Sequence, residues 1–490
     1  MRTRAPERTV ITIFGASGDL TRRKVVPALH SLKCAGLLPK TTQIIGVGRS
    51  RLTEAAFRDK LSKGIAEYSR LRPGVKEQWP SSAANLFYLA GDYDDPRTYR
   101  LLAEKLSNSG KDSSNVNHLF YLATPASVFP TIIKQLGKSG LARTGLGWRR
   151  IIIEKPFGRD RKSARKLNGQ VHAVFGENHV YRIDHYLGKE TVQNIVSLRF
   201  ANAIFEPLWN RNYVDHVQIT MAENIGVGHR AGYYERAGVL RDMVQNHILQ
   251  LLSLTAMEPP SAFDAQNLWA EKVKVLDAVR RPSAKDAVWG QYKGYRKETG
   301  IARDSRTPTF VALKLYVDNW RWHGVPFYIR TGKMLARKAT EIVLKFRSVP
   351  LMLFPENKDV NPNRISLCIQ PDEGVHLRFE TKVPGMGMKT APADLVFRYN
   401  RFGKNVLPEA YERLLLDVID GDPTLFVRDD FEDRSWAILD PLLNGWKHSE
   451  DNALHFYKAG SWGPVEGDQL MARDGRSWEL GCSADSHELA

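Results

Sequence analysis

Along the first third of the chain, short apolar runs alternate with longer amphipathic stretches. Val10-Ile11-Thr12-Ile13-Phe14 is a β-branched, mostly apolar run that breaks at Gly15, and a basic helical stretch follows to about Leu32. Ile44 to Val47, Leu86 to Ala90, His118 to Ala123 and Trp148 to Ile153 read as four further strands. Helical stretches separate them, which is the alternation of a parallel, doubly wound sheet. After about residue 184 the texture changes. A helical stretch is expected from about Gly238 to Met257, closed by Pro259-Pro260. Alternating segments follow at Thr309 to Tyr316, Glu341 to Phe346, Ile365 to Ile369 and His376 to Thr381. Strands this close, without helices between them, imply a largely antiparallel sheet.

Composition adds limits rather than identity. The 490 residues are 42% hydrophobic and 26% charged, so a sizeable core is available and wholesale disorder is excluded. Lys and Arg number 71 against 54 acidic residues, a formal charge of +17. The basic residues are dispersed apart from short clusters such as Arg22-Arg23-Lys24, and no aromatic-interleaved basic repeat occurs. The surplus therefore reads as solubility and steering of anionic ligands, with no nucleic-acid partner expected. Cys34, Cys368 and Cys482 are far apart and odd in number, so neither a disulfide framework nor a metal cluster is expected. No run approaches the roughly 18 apolar residues of a membrane span. The apolar stretch behind the basic start MRTRAPER is too short for a signal-peptide core. The expected compartment is the cytoplasm, with no membrane partner.

Candidate chemistry begins at the first strand end. Gly15-Ala16-Ser17-Gly18-Asp19-Leu20 occupies a strand-to-helix turn, where a pyrophosphate needs close backbone approach and free N–H groups. The spacing departs from GxGxxG, with Thr21 in the place of a third glycine, so the pattern alone also fits an ordinary tight turn. At the end of the second strand, Gly48-Arg49-Ser50-Arg51 lacks the acid that would hold a bare ribose hydroxyl. Arg49 is suited to clamp a 2′-phosphate, which favours NADP over NAD. Glu154-Lys155-Pro156 ends the fifth strand, and an X-Pro junction there aims Lys155 over the ligand-binding edge of the sheet.

The densest run is Arg182-Ile183-Asp184-His185-Tyr186-Leu187-Gly188-Lys189-Glu190. If a helix begins near His185, then His185, Tyr186 and Lys189 converge on one anion at its positive end. This run resembles the substrate-binding signature of the glucose-6-phosphate dehydrogenase family. GASGDL, the Glu-Lys-Pro segment and Gly238-Val239-Leu240-Arg241-Asp242-Met243-Val244-Gln245-Asn246-His247 resemble further blocks of that family in the same order. So do Glu409 to Leu415 and Gly460 to Pro464, both read as structural.

The resemblance covers nearly the whole chain and carries specific expectations. It implies a Rossmann-like dinucleotide-binding domain (8–184) followed by a larger α+β domain (185–490) whose mainly antiparallel sheet forms a homodimer or homotetramer. The implied reaction oxidises glucose 6-phosphate to 6-phosphogluconolactone with hydride transfer to NADP, the first oxidative step of the pentose phosphate pathway. His247 is then the general base, oriented by Asp184. His185, Tyr186 and Lys189 bind the phosphate; Glu223 and Asp242 hold sugar hydroxyls; Lys333 and Lys338 belong to a loop that closes on substrate. Gln370 matches a position with a lesser role. Lys155 touches both sugar and nicotinamide, and Gly15, Ser17, Gly18, Asp19, Leu20, Arg49, Asp92 and Tyr93 surround the cofactor. No metal is implied. Spacing by itself does not support a joint role for Asp242 and His247, since five residues do not share a face of a regular helix. Two other readings stay open: a sugar oxidoreductase with the same Glu-Lys-Pro arrangement acting on an unphosphorylated sugar, and a catalytically silent binding protein.

Overall fold

A computed structural model describes residues 8–482 apart from 40, 72–78, 80–81, 108–115, 144, 146, 355–360, 403–406 and 449–452. Most of the basic start MRTRAPER lies outside the described residues. The chain divides into two compact units. The first comprises Met1–Gly188, Asp264–Gln266 and Leu407–Asp433, and the second comprises Lys189–Phe263, Asn267–Val406 and Arg434–Ala490. Residues 407–433, which sequence reading leaves in the second domain, thus return to the first unit.

The first unit is built on six parallel strands: β1 (Thr9–Phe14), β2 (Gln43–Gly48), β3 (Leu86–Ala90), β4 (Asn117–Leu122), β5 (Arg149–Ile153) and β6 (Val180–Arg182). Their order is β3-β2-β1-β4-β5-β6. All six residues of β1 and of β4 are buried, as expected of central strands covered by helices on both faces. Val10, Phe14, Phe120, Leu122, Ile151 and Ile153 contribute to one core with Phe129, Ile132, Ile133 and Leu136 of the helix Phe129–Lys138. Each such side chain removed from water contributes about 1.5–3 kcal/mol. The order reverses direction between β1 and β4, so the ligand crevice of this sheet lies beyond the carboxyl ends of those strands.

The second unit carries β7 (Val214–Ala222), β8 (Ala287–Tyr292), β9 (Phe310–Tyr316), β10 (Pro326–Gly332), β11 (Ala339–Phe346), β12 (Arg364–Gln370), β13 (Gly374–Lys382), β14 (Thr390–Arg398) and β15 (Leu454–Tyr457). These form one sheet in the order β14-β13-β12-β11-β7-β10-β9-β8-β15. Pairing is antiparallel except for β7 with β10 and β8 with β15. Among the described residues no helix is long and apolar enough to cross a membrane.

The cysteine reading needs correction. Cys368 on β12 and Cys482 form a disulfide across 114 residues, with their Cα atoms 5.6 Å apart. Sequence spacing gives no sign of it because the fold, not the spacing, brings the two together. Cys34 is a free thiol.

Candidate active site

In the first unit the turn after β1 is fixed by its neighbours. Gly15 has φ +84°, and a Cβ there would lie 2.3 Å from the carbonyl oxygen of Ala123. Only glycine fits so close an approach. The N–H groups of Gly15 and Ala16 donate to Val47 O at 2.9 and 3.2 Å, and that of Gly18 donates to Gly15 O at 2.9 Å. Thr21, at the place of a third glycine, is buried, and its hydroxyl donates to Gly15 O at 3.2 Å. It closes the turn that a third glycine would have left open. Asp19 and Leu20 lead into a π-helical turn, Thr21–Val25.

The other predicted cofactor residues gather at the same sheet edge. Ser17 and Ser50 hydroxyls are 3.2 Å apart, and Tyr88 donates to Ser50 O at 2.7 Å. Arg49 is exposed, with its guanidinium 5.9 Å from the Tyr93 ring centroid. Burial raises the Tyr93 phenol above its ordinary range, and the nearby Arg49 charge opposes that shift. Asp92 contributes its carbonyl to Thr98 Oγ1 at 2.9 Å. A narrow glycine cradle with an exposed arginine at the end of β2 fits a dinucleotide carrying a 2′-phosphate.

Register places the Glu-Lys-Pro segment on that edge too, since Phe14, Leu122 and Ile153 end adjacent parallel strands. Lys155 follows half-buried, joined to Pro156 by a cis peptide bond. Its neighbour Glu154 is buried and accepts from the hydroxyls of Tyr121 at 2.5 Å and Tyr411 at 3.1 Å. Burial raises the Glu154 carboxyl, with both phenols and Lys155 opposing. Tyr411 belongs to the helix Ala410–Asp420, so the block near the C-terminus supports the Glu-Lys-Pro strand end.

The signature run continues from β6. Arg182 is buried, with its guanidinium on Glu177 at 2.7 and 3.0 Å and on Asn168 at 2.8 Å. Asp184 is buried, and its Oδ1 accepts the N–H of Tyr186 at 3.0 Å. The His185 and Tyr186 ring centroids are 4.9 Å apart. A Cβ on Gly188 would lie 2.6 Å from Ala410 O, which explains the glycine in the motif.

The expected helix start at His185 is not found. Residues 185–188 form a turn, and the helix spans Glu190–Phe200 with Lys189 as its N-cap (φ −80°, ψ 132°). The Asp184 carboxylate takes the Tyr186 N–H, and Leu187 N–H donates to Asp184 O at 3.0 Å, so the run closes on itself as a local turn. His185 and Lys189 therefore do not share a helix face. Lys189 Nζ lies 2.5 Å from Gln370 Oε1, and Gln370 Nε2 donates to Thr340 Oγ1 at 2.9 Å. A lysine beside the positive end of a helix concentrates positive charge where an anion is favoured.

The second unit assembles its site by strand register. β7 and β10 run parallel with Ala222 beside Gly332, so the next residues, Glu223 and Lys333, leave the sheet together. Lys333 is buried, and its ammonium contacts the Glu223 carboxylate directly and Asp242 Oδ2 at 3.4 Å. Tyr233 donates to Asp242 Oδ1 at 3.4 Å, and the Arg230 guanidinium lies 3.9 Å from the same oxygen. Arg230 and Tyr233 carry no sequence signal marking them as neighbours of Asp242. Lys338 is exposed, in contrast to Lys333.

Asp242 and His247 lie on the expected helical stretch, but not on an α-helix. An α-helix, Ala231–Val239, ends at a kink where Gly238 has φ 64° and ψ 173°. A π-helix follows over Leu240–Ile248, and α-helical geometry resumes at Leu249–Ala256. Five residues on an α-helix are about 140° apart, but i→i+5 bonding makes five residues about one turn. Asp242 and His247, both buried, thus lie near one face after all. The His247 N–H donates to Asn246 Oδ1 at 2.6 Å.

A parallel sheet of order 3-2-1-4-5-6 with a glycine cradle at its switch point defines a Rossmann-like dinucleotide-binding fold. Comparison with known proteins narrows this. Residues 12–194 match the family model of the glucose-6-phosphate dehydrogenase NAD-binding domain, and residues 196–479 match that of its C-terminal domain. The chain belongs to the glucose-6-phosphate dehydrogenase family. It is 46% identical over 485 residues to glucose-6-phosphate 1-dehydrogenase 2 of Mycobacterium tuberculosis, covering 96% of this chain and 94% of the relative. It is 43% identical over 487 residues to the Aggregatibacter actinomycetemcomitans enzyme, at 96% and 97% coverage. A solved glucose-6-phosphate dehydrogenase in complex with its substrate superposes with a TM-score of 0.90 at 35% identity, covering 98% of this chain and all of the other.

Proposed function

We propose that this chain oxidises glucose 6-phosphate at C1 to 6-phosphogluconolactone, with NADP as acceptor. It thereby catalyses the first oxidative step of the pentose phosphate pathway. The observation that carries this reading is the π-helix. It sets His247 and Asp242 near one face, while Asp242 contacts the Lys333 that emerges beside Glu223. A base is then held next to a cluster of carboxylates and an ammonium suited to sugar hydroxyls. His247 accepts the C1 hydroxyl proton as C1 gives up hydride, and Asp184 holds the imidazole in the tautomer that accepts it. The acceptor chemistry is the cofactor's; the chain supplies base, orientation and charge.

The remaining assignments follow the same reading. Asp242, Glu223 and Lys333 orient the sugar, with Lys338 at the rim. His185, Tyr186 and Lys189 hold the phosphate, and Lys155 bridges sugar and nicotinamide. Gly15, Ser17, Gly18, Asp19 and Leu20 cradle the pyrophosphate, Arg49 reads the 2′-phosphate, and Asp92 and Tyr93 flank the cofactor. The edge strand β14 leaves Leu395 60% and Val396 48% exposed, an apolar edge that needs cover. We assign it to self-association into a homodimer or homotetramer. Leu395→Glu should lower the mass measured by sedimentation, and an unchanged mass would exclude this face. The compartment assigned is the cytoplasm, where a disulfide such as Cys368–Cys482 is uncommon.

The test of the activity is absorbance at the reduced-nicotinamide band. Glucose 6-phosphate with NADP should give turnover, glucose far less, and NAD a weaker response than NADP. Equal rates with glucose would favour an enzyme for unphosphorylated sugars. A folded protein that binds NADP yet turns over neither sugar would be a silent binding protein.

A further inference from the structure

A cavity of about 620 Å³ lies within the second unit, at the start of the π-helix. That volume is in the range of small-molecule sites, about 300–1,000 Å³. Its lining includes Arg236, Arg241 and Arg306 together with Trp289 and Trp446. Glu235 is the one carboxylate among the described lining residues, and it accepts from the hydroxyls of Tyr295 at 2.7 Å and Ser305 at 2.9 Å. Three arginines thus stand against one carboxylate among the described lining residues. The Trp289 and Trp446 rings have centroids 4.8 Å apart at 38°, and Arg306 lies 5.5 Å from the Trp446 centroid. Trp446 is only partly buried.

We propose that this cavity is an effector site for an aromatic phosphate anion of the nucleoside diphosphate kind. The guanidiniums would take the phosphates as paired hydrogen bonds, and the base would lie against the indole pair. Neither half of such a ligand suffices alone. Inorganic pyrophosphate lacks the ring, and a nucleoside lacks the charge.

The place of the cavity says what occupancy would change. Its wall contains residues 237–241, including Gly238 at the kink and Leu240 at the first π-helical position. Arg241 donates to Ala237 O at 3.1 Å across that kink. The next residue is Asp242, whose carboxylate is shared by Lys333, Tyr233 and Arg230. A phosphate that draws Arg241 toward the cavity pulls the backbone of Asp242 with it and loosens the contact with Lys333. Occupancy then raises the KM for glucose 6-phosphate. The kinetic part rests on the function proposed above; the binding part does not.

The experiment uses the full-length protein saturated with NADP, so that the coenzyme site is filled. Adenosine diphosphate is titrated by calorimetry, with adenosine and pyrophosphate as separate arms. The diphosphate should bind with a Kd below about 1 mM, and each fragment at least tenfold more weakly. Arg306→Ala and Arg236→Ala, both at exposed positions, should each weaken binding at least tenfold. No binding, unchanged affinity in both variants, or pyrophosphate binding as tightly as the diphosphate would overturn the site. In kinetics at saturating NADP, the diphosphate should raise the glucose 6-phosphate KM at least threefold in wild type and leave Arg306→Ala unaffected. Calorimetric binding with unaltered kinetics would overturn the effector role.

Discussion

Two turns of this molecule share a plan and differ in what holds them. Gly15 and Gly238 both adopt positive φ, at +84° and +64°, and both lead into a π-helical stretch. Around Gly15 the neighbouring strand leaves no room, since an added Cβ would lie 2.3 Å from a backbone oxygen. Around Gly238 the nearest atom to an added Cβ is a Thr307 methyl carbon at 3.6 Å. The first turn is shaped by the sheet it leaves; the second is shaped by its own backbone angles. A side chain is therefore excluded from the cradle turn by a neighbour as well as by backbone angle, and from the kink before Asp242 by backbone angle alone. A wider helix at the second position is what brings a carboxylate and an imidazole five residues apart near one face.

The variant expected to have the largest effect tests that last point directly. His247→Asn keeps the shape but removes the proposed base, so kcat should fall by about 10²–10⁴, the usual contribution of a positioned base. KM should move little, because Lys189, Asp242 and Lys333 are untouched. A kcat within a few-fold of wild type, measured on folded protein at saturating substrate, would leave His247 as a core residue.

Gly15→Ala comes next. Forcing an alanine to positive φ costs about 1–3 kcal/mol, and the contact with Ala123 O adds about as much. Urea unfolding should show the loss, with NADP affinity reduced in parallel. Gly238→Ala meets no such contact. Its φ of 64° and ψ of 173° lie in a region essentially reserved for glycine, so it should cost about 1–3 kcal/mol from strain alone. If Gly238→Ala proves the more damaging of the two, the contrast between the turns is wrong.

Arg49→Ala should leave folding alone and weaken NADP by about 1.5–3 kcal/mol, the worth of hydrogen bonds to a charged group. NAD affinity should hardly change. Equal losses for both coenzymes would mean that Arg49 does not read the 2′-phosphate.

The same contrast explains what the sequence makes legible. The first five parallel strands are readable because burial on both faces yields continuous apolar runs such as Thr9–Phe14. β7 and β10 escape that reading because they bury polar side chains. Gln218 on β7 is fully buried, with its amide on Ser477 O and Glu479 N at 2.9 Å each. Arg330 on β10 is buried with its guanidinium 4.7 and 4.5 Å from the Trp462 and Trp478 centroids. Nothing local announces partners that arrive from more than a hundred residues away. The candidate site residues are recognisable through family motifs, but their geometry is not. Asp242 and His247 look mismatched at α-helical period, and His185 looks helical until the Asp184 turn is seen.

Lys333 and Lys338 give the finest test, because five residues of one loop separate a buried lysine from an exposed one. Lys333 is 7% exposed and contacts both Glu223 and Asp242. Lys333→Ala leaves both carboxylates without that ammonium, so the glucose 6-phosphate KM should rise well over tenfold. Lys338 stands in solvent, where water screens its charge and a long side chain loses entropy on binding. An exposed ion contact contributes about 1 kcal/mol or less, so Lys338→Ala should raise KM by no more than about fivefold. That effect should shrink further at high salt, because screening acts on exposed charges far more than on buried ones. The Lys333→Ala effect should hold across the same salt range. If Lys338→Ala matches Lys333→Ala in size and salt response, the loop carries Lys338 into a buried contact with substrate, and its exposure belongs only to the ligand-free chain.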